Sequence, residues 1–525
     1  MPNKSLVIAI LLPLAFSCHT LRAQVDNTQK EFEKFRQQQL TDFNDFRSKA
    51  DAEYEAFLRQ AWEKYEAFAG IPAPTRPEPP EPVTYEEPAT PPEPVTVTPK
   101  EPEPEPEPQP DVEEPVAEPE QAPGGEPAKK PLSPISDKPI PGRIPGSKPY
   151  TPTIRPVPPM SPSEKLAPRM DFFFYGLSLE LAAGVAQDLK LAGNSEANVA
   201  DAWKSLCQAD HALLVSDCMR AKQTYRMNDW MYVMLTQKVA ESLYGPEQTD
   251  EIAFLQMFLL VKSGYKARLA RVNEQLKLLM PSNSVIYATP YINIDDTRYY
   301  IINPDSSGSM SIYTYRNNFA DANDLVTIAI NELPDFLLDE SDRSLSPRSG
   351  DFTVNTRVNK NLIDFYNDYP QCDVDVHFHA PMSSELKQSL YPTLEAAIAG
   401  RSQEEAANIL LNFVQTAFEY KTDGDQFGYE KPNFFEETFF YPYCDCEDRS
   451  MLYATLVRDL IGLDVILLDY PGHIATAVKF PSTVKGDRVE LQDGSSYLIC
   501  DPTYIGAPIG MCMDDYRSVG PGIIF

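Results

Sequence analysis

The sequence that decides the fold reads YCDCEDRSMLYATLVRDLIGLDVILLDYPGHIATAVKF over residues 443–480. Apolar residues at helical spacing, starting at Met451, predict a helix in its first half, and Gly462 is a typical helix end. A short apolar strand follows, and the alternating run that starts at His473 predicts a second strand. A third strand, in YLICDPT at 497–503, completes a helix packed on consecutive strands, as in an α+β protein.

Three side chains suited to nucleophilic catalysis stand at the ends of these elements. Cys446 lies in the first helical turn, where unpaired N–H groups and the helix dipole stabilise a thiolate. His473 opens one strand, and Asp501 closes the next. A thiol, an imidazole to accept its proton and a carboxylate to orient the imidazole form a catalytic set. The pattern therefore predicts a triad of Cys446, His473 and Asp501.

These residues also have plainer interpretations. A single cysteine at the start of an apolar helix is commonly a small buried hydrophobic residue. The pair Cys444 and Cys446 could instead bind zinc, but zinc sites space their cysteines by two or more residues and need two further ligands. The order of the three residues, with a strand before each partner, favours catalysis without a metal or cofactor.

The motifs resemble the transglutaminase-like superfamily, whose members have a papain-like cysteine–histidine–aspartate core. The resemblance rests on DCED at 445–448, GH at 472–473 and DPT at 501–503, and it covers about residues 400–510. It implies that the three candidate residues act as nucleophile, general base and orienting group, in that order. Members often carry a tryptophan beside the histidine strand, where this chain has Ile-Ala at 474–475.

Composition and the N-terminus indicate an exported protein. The chain has 525 residues, 50 prolines and a formal net charge of −31, which disfavours nucleic acid and anionic lipid as partners. Residues 1–23 have the lysine, apolar run and small-residue end of an export signal, which predicts a periplasmic or cell-envelope location. A lipoprotein acylated at Cys18 is the alternative. No later apolar run has the length of a transmembrane helix.

Residues 24–70 contain an aromatic repeat with a period of eleven residues. This period keeps an aromatic stripe nearly parallel to a helix axis. We therefore predict a long helix ended by Gly70, whose stripe binds a second copy, another protein or the body of this chain. The repeat consists of Phe32, Phe35, Phe43, Phe46, Tyr54, Phe57, Tyr65 and Phe68.

Residues 71–168 hold most of the prolines, including the tract EPEPEPEPQP at 101–110. Such sequence has few apolar residues to bury and prefers an extended chain stiffened by like charges. It predicts a disordered Pro/Glu-rich linker between the aromatic helix and the rest of the chain.

An internal repeat at an offset of 198 residues, which aligns Gly264 with Gly462, predicts two tandem papain-like lobes. The first, 169–345, would be a degenerate transglutaminase-like lobe, and the second, 346–525, the catalytic domain. The aromatic loop 421–443, which the first lobe lacks, is predicted to wall the cleft. In the first lobe the alignment replaces Cys446, His473 and Asp501 with Gln248, Ile286 and Asn303, respectively.

His377 and His379 are two residues apart in DVDVHFH. Alternation of this kind predicts a strand, on which both side chains would lie on one face. A solvated strand face is the favoured interpretation, and half of a metal site is the alternative.

Together these patterns predict an exported cysteine-dependent enzyme that transfers acyl groups from protein or peptide amides. Hydrolysis by a peptidase or amidase is favoured over cross-linking, because no residue pattern marks an amine site. The alternative is a non-catalytic cell-envelope binding or assembly module with a relict triad. A structural envelope protein built around the aromatic helix is a third possibility.

Overall fold

The computed structural model describes residues 34–35, 38–39, 41–42, 45–72, 82–88, 92–100, 157, 167–304 and 310–525. The predicted export signal with Cys18, the aromatic residues Phe32 and Phe43, and residues 101–156 lie outside these ranges. The described part is a mixed α+β structure, as predicted. None of its helices combines the length and apolar character needed to cross a bilayer.

Within these ranges, the first half of the chain contains α1 (45–58), β1 (Glu63–Tyr65), β2 (Thr96–Val97), β3 (Met170–Phe174), β4 (Leu177–Leu181), α2 (Glu196–Gln208), α3 (His211–Thr224), α4 (Asp229–Tyr244), α5 (Thr249–Lys262), β5 (Arg268–Val272), β6 (Gln275–Met280), β7 (Tyr291–Ile294), β8 (Thr297–Ile301) and β9 (Ile312–Thr314).

The second half contains β10 (Glu340–Leu345), β11 (Val354–Asn359), α6 (Lys360–Asn367), α7 (Val374–His379), α8 (Ser384–Ile398), α9 (Gln403–Ala417), β12 (Glu419–Tyr420), α10 (Asp423–Gln426), α11 (Phe435–Phe440), β13 (Tyr443–Cys444), α12 (Cys446–Ile461), β14 (Asp464–Tyr470), β15 (His473–Lys479), β16 (Arg488–Glu490), β17 (Ser496–Cys500) and β18 (Gly522–Ile524).

Two six-stranded sheets dominate the described residues. The strand order is β1-β9-β5-β6-β8-β7 in the first sheet and β18-β14-β15-β17-β16-β2 in the second. A helix, α5 or α12, precedes the central hairpin of each sheet. The cross-strand pairs Leu279–Ile301 and Ala477–Ile499 occupy matching positions, 198 residues apart. The hairpin and the strand beside it thus recur in order and register at the offset found in the sequence.

The strand correspondence corrects the predicted counterpart of His473. In the second sheet His473 pairs with Tyr470 across a tight turn, and in the first sheet Gln275 pairs with Val272 in the same way. Ile286 lies in the connection between β6 and β7. The gapped alignment of His473 with Ile286 was therefore wrong, because the offset stays constant through the hairpin.

The second sheet is covered on both faces. Alternate residues of a strand point to opposite sides, so a strand buried on both faces is apolar throughout. Leu467 and Ile474 pack in one cluster with Leu456 of α12. Leu468 and Ala477 pack on the other side, in a cluster that includes residues of β2 and β16.

The aromatic helix is shorter than predicted. Its helical residues end at 58, and β1 then pairs with β9 at the edge of the first sheet. The prediction of a helix up to Gly70 was wrong because residues 63–65 are held by the hydrogen bonds of that sheet edge. Local periodicity does not report such a partner.

The aromatic repeat divides between a buried and an exposed part. Tyr54 and Phe57 are buried and pack edge-on against Phe319 of the first lobe. Phe35 and Phe46 of the same stripe are exposed. The buried members of the repeat therefore bind the body of the chain, which was one of the predicted partners.

A segment of the predicted linker packs against the second lobe. Residues 92–100, here called the strap, place β2 parallel to β16. The Val95 N–H donates to Asp487 Oδ1 at 2.8 Å, and the Lys100 N–H donates to the Pro521 carbonyl at 3.1 Å. The prediction of an unstructured linker was wrong here, because the alternating VTVT at 95–98 forms an edge strand among the prolines.

Phe57→Ala is expected to lower the free energy of unfolding by about 3–5 kcal/mol, because a ring only 7% exposed leaves a cavity when it is removed. Phe46→Ala is the matched control on the same helix, since that ring is 67% exposed, and it should change stability by less than about 0.5 kcal/mol. Urea unfolding followed by tryptophan fluorescence measures both. Equal effects of the two substitutions would contradict the docking of α1.

Candidate active site

Cys446 is the first residue of α12, and its side chain is 0% exposed. Its thiol donates a hydrogen bond to Oε2 of Glu447 at 3.0 Å. Asp445 caps the helix, and its N–H donates to Oδ2 of Asp448 at 3.4 Å. Gly462, in the left-handed conformation with φ of 76°, ends the helix as predicted. The sulfur thus lies at the positive end of a buried helix.

His473 and Asp501 form a buried hydrogen-bonded pair. His473 begins β15 after a turn at Gly472, and Asp501 directly follows β17, the neighbouring strand. The distance from His473 Nε2 to Asp501 Oδ2 is 2.9 Å. The other carboxylate oxygen accepts the N–H groups of Thr503 at 2.8 Å and Tyr504 at 3.2 Å. These backbone donors fix the carboxylate so that Oδ2 faces the imidazole.

Two contacts relate Cys446 to this pair. Ser450, one helical turn after Cys446, donates its hydroxyl to the carbonyl of Ile474 at 2.8 Å. Because positions i and i+4 share a helix face, Cys446 and Ser450 lie on the same side of α12. Nδ1 of His473 has no hydrogen-bond partner in the described ranges, so no hydrogen bond joins the imidazole to the thiol. Tyr516 stacks on the His473 ring with 5.0 Å between centroids. Burial, and then the charge of Cys446, raise the pKa of this tyrosine to about 12.

A buried glutamine of α9 holds the loop that carries Asp501. Nε2 of Gln415 donates to the carbonyls of Asp501 at 3.1 Å, Tyr504 at 2.8 Å and Ala507 at 3.0 Å. Its Oε1 accepts the Gly506 N–H at 3.1 Å. One side chain thus fixes four backbone groups of the loop, which sets the position of the carboxylate.

Arg449 connects the start of α12 to the same support. Its guanidinium is buried and donates to the carbonyls of Gln415 at 3.3 Å and Phe418 at 3.0 Å. It also lies over the ring of Tyr420, 5.2 Å from the centroid. The C-terminal end of α9 is therefore a common anchor for the helix of Cys446 and the loop of Asp501.

A cluster of carboxyl groups lies beside the sulfur. Burial, reinforced by the charge of Glu447, raises the pKa of Asp448 to about 7 and that of Asp423 to about 10. Carboxylate oxygens of Asp423, Glu430 and Glu447 lie within 4.8 Å of one another. Within the described ranges this is the group whose spacing could hold a metal ion. The sequence prediction that no metal is needed stays a prediction.

Two tyrosines and the strap close the site. The hydroxyl of Tyr420 is buried and has no hydrogen-bond partner in the part of the chain described. Burial, and next the charge of Cys446, raise its pKa strongly, which places it near the sulfur. Arg517, next to Tyr516, donates to the Glu93 carbonyl of the strap at 2.7 Å. Cys446 itself is inaccessible to solvent in this arrangement.

His377 and His379 lie on α7, so the prediction that they share a strand face was wrong. Residues two apart on a helix point in different directions. His377 is accordingly buried and His379 exposed. The alternation of DVDVHFH was misleading because α7 is only six residues long, and so short an element gives too little periodicity to separate a helix from a strand.

A second cysteine–histidine contact involves His377, whose Nε2 is 3.5 Å from the sulfur of Cys372. Burial lowers the pKa of His377 to about 3 and raises that of Cys372. Nδ1 of His377 has no hydrogen-bond partner in the described ranges, and so no carboxylate orients the ring. The pair is a neutral thiol and imidazole, unlike the carboxylate-oriented pair at His473.

Comparisons with protein-family models, with characterised proteins and with solved structures found no match. The resemblance to the transglutaminase-like superfamily therefore rests on the motif residues and on their placement.

Sequence analysis missed Gln415, Tyr420 and Tyr516. Gln415 has a recognisable signal, since it interrupts the apolar face of α9 in LLNFVQTAF. Tyr420 belongs to a two-residue strand and Tyr516 to a single 3-10 turn, and neither has a periodic context. Their contacts arise only when distant segments meet.

Gln415→Leu is expected to lower the free energy of unfolding by about 2 kcal/mol or more, because it leaves buried backbone groups of the Asp501 loop unpaired. Gln492→Leu, the same change at an exposed position, is the control and should stay within about 0.5 kcal/mol. Urea unfolding followed by circular dichroism measures both. A Gln415 variant as stable as the control would show that the loop does not depend on this side chain.

Asp423→Asn is expected to stabilise the protein increasingly as pH rises. The folded state holds the Asp423 proton up to a pKa of about 10, whereas the unfolded chain releases it near 3.8, so wild-type stability falls with pH between these values. The gap between variant and wild type should widen by up to about 1.4 kcal/mol for each pH unit from 5.5 to 8. Asp425→Asn, at an exposed position of the same short helix, should run parallel to wild type in urea unfolding. If the unfolding free energy of the Asp423→Asn variant ran parallel to that of wild type over this pH range, the Asp423 carboxyl would not be protonated in the folded state.

Proposed function

We propose that the protein is an exported cysteine-dependent acyl-transfer enzyme that acts on protein or peptide amides, with hydrolysis favoured over cross-linking. The observation that carries this proposal is the buried His473–Asp501 hydrogen bond at 2.9 Å, at the end of β15 to which the Cys446 turn of α12 is tied. A base and an orienting carboxylate beside a helix-terminal thiol are the parts that thiol catalysis requires. The transglutaminase-like motifs support the same assignment.

The proton path follows from the pairing of the imidazole. Nε2 of His473 is bonded to Asp501, so Nδ1, which has no hydrogen-bond partner in the described ranges, is the nitrogen that takes the Cys446 proton. The sulfur then attacks the amide carbonyl, and the C=O electron pair moves onto the oxygen. When the tetrahedral adduct collapses, the C–N bond breaks and the leaving amine takes the proton from Nδ1. Water, deprotonated by the same nitrogen, then hydrolyses the thioester.

Two donors are available for the oxyanion. Backbone N–H groups in the first turn of α12 point toward the sulfur end of the helix. The Tyr420 hydroxyl is buried without a hydrogen-bond partner in the described part and feels the charge of Cys446. We assign this hydroxyl as a second donor.

The first lobe supports a duplication in which one copy lacks the chemistry. In its sheet, the hairpin and the strand beside it repeat the order and register of their counterparts in the sheet of the second lobe. The positions of the triad are occupied there by Gln248, Gln275 and Asn303, which cannot form a thiolate–imidazole pair. We therefore infer tandem lobes, of which the first is an inert copy that supports the second.

A binding or assembly module with a relict triad is the second candidate. The observation in its favour is that the Cys446 thiol is inaccessible and donates a hydrogen bond to Glu447. A site that never opens would serve packing alone. Reactivity of the thiol distinguishes the two functions.

Iodoacetamide is expected to alkylate Cys446 at neutral pH, and His473→Ala should slow this reaction about tenfold or more, because the base that removes the thiol proton is lost. His379→Ala, at an exposed position, is the matched control and should label like wild type. Mass spectrometry of the peptide that contains Cys446 measures the rate, and Cys446→Ala identifies the site. Equal rates in the His473 variant, the His379 variant and wild type would eliminate the enzyme and leave the binding module.

A further inference from the structure

A cavity of about 50 Å³ lies between α7 and the loop 421–443. Much of its wall is aromatic: Phe434 stacks on Tyr366 with 4.0 Å between centroids, and Tyr369 lies edge-on to Phe434. Tyr429, 48% exposed, also lines the cavity and marks its access to solvent. The rings of Tyr366 and His377 cover the two faces of Phe434, so this wall presents aromatic edges, against which an aliphatic chain can pack. The volume suits a narrow group of a few water-sized atoms.

The charged groups of the lining carry a surplus of negative charge. Three carboxylates, those of Asp373, Glu430 and Glu437, stand against one ammonium, that of Lys431. Lys431 already forms an ion pair with Glu437. Burial raises the pKa of Asp373 to about 6, so this group is still mostly ionised at neutral pH. Electrostatics therefore favour a cationic ligand over a neutral or anionic one.

A buried nitrogen in the lining also points to a ligand. His377 is 6% exposed, and its Nδ1 has no hydrogen-bond partner within the described residues. Burial lowers its pKa to about 3, so the ring is neutral. In the tautomer whose Nε2–H donates to the Cys372 sulfur at 3.5 Å, Nδ1 is the acceptor and can take a hydrogen bond from a bound donor.

The cavity lies close to the sulfur but is separated from it. The carboxylates of Glu430 and Glu447 lie within 4.8 Å of each other, and Glu447 accepts a hydrogen bond from the Cys446 thiol at 3.0 Å. An extended peptide advances about 3.3 Å per residue, so the cavity corresponds to a position one to three residues from the reacting amide. A cation bound there is held by carboxylates away from the sulfur and so contributes recognition, not attack.

We propose that this cavity is a specificity subsite that binds the primary ammonium of a basic side chain in the peptide substrate. The aliphatic stem would lie along the aromatic walls, and the ammonium would meet Glu430, Asp373 and the Nδ1 atom of His377. The assignment of a substrate side chain rests on the proposed acyl-transfer function, whereas the affinity for an ammonium does not.

Cleavage of short Gly/Ala peptides that carry lysine or norleucine at each position in turn tests the subsite. Norleucine keeps the stem and lacks the ammonium. We expect kcat/KM at one position to favour lysine at least tenfold, and Glu430→Gln to reduce this preference at least threefold through KM. Glu395→Gln, an exposed carboxylate in the same half of the chain, should leave it unchanged. Cleavage without lysine preference at any position would overturn the subsite and leave the proposed function standing.

Thermal unfolding of the Cys446→Ala variant separates binding from catalysis. n-Butylammonium chloride should raise its midpoint by a few degrees, 1-butanol should not, and Glu430→Gln should abolish the shift. That result, with no peptide cleaved, would support the ammonium site and locate the failure in the proposed function. The opposite result is that calcium chloride stabilises the protein, that Glu430→Gln abolishes this effect, and that n-butylammonium has none. It would assign the carboxylates to a divalent cation and overturn the proposal.

Discussion

The hydrogen bond between His473 and Asp501 is the constraint around which the second lobe is arranged. A buried polar pair is stable only when its remaining groups are also satisfied. The backbone of the loop after Asp501 supplies two donors, and Gln415 holds that loop through four backbone groups. Arg449 then ties the helix of the sulfur to the same end of α9. The positions of the imidazole and the carboxylate are thus set by side chains outside the pair itself.

The two sheets share a central arrangement and differ in the residues at the ends of their strands. In both lobes a helix packs before a hairpin, and a third strand lies beside it in the same register. The residues that follow these strands differ: Asp501 orients an imidazole, whereas Asn303 bonds to Gln237. Packing requires the strands and helices, and the groups at their ends are free to change.

The sequence predicted the parts of the site that depend on local order. Short patterns predicted the helix start at Cys446, the strand start at His473 and the aspartate after the next strand. Short patterns do not predict contacts between distant segments. Gln415 is 86 residues from Asp501, and the short strand β1 takes its conformation from β9, far along the chain. The pairing of the strap with β16 was not predicted for the same reason: its prolines resemble those of the rest of the linker, and its partner strand lies near the C-terminus.

The strap also constrains how the chain folds. Val95 and Asp487, which it joins, are 392 residues apart, so a strand made early in synthesis completes its pairing only after nearly the whole polypeptide exists. Closing so long a loop is entropically unfavourable, and contacts of large sequence separation form slowly. The pairing of this early segment with β16 therefore has to wait until residues near the C-terminus are present. The hydrogen bond between Arg517, next to Tyr516, and the Glu93 carbonyl of the strap depends on the same two distant parts of the chain.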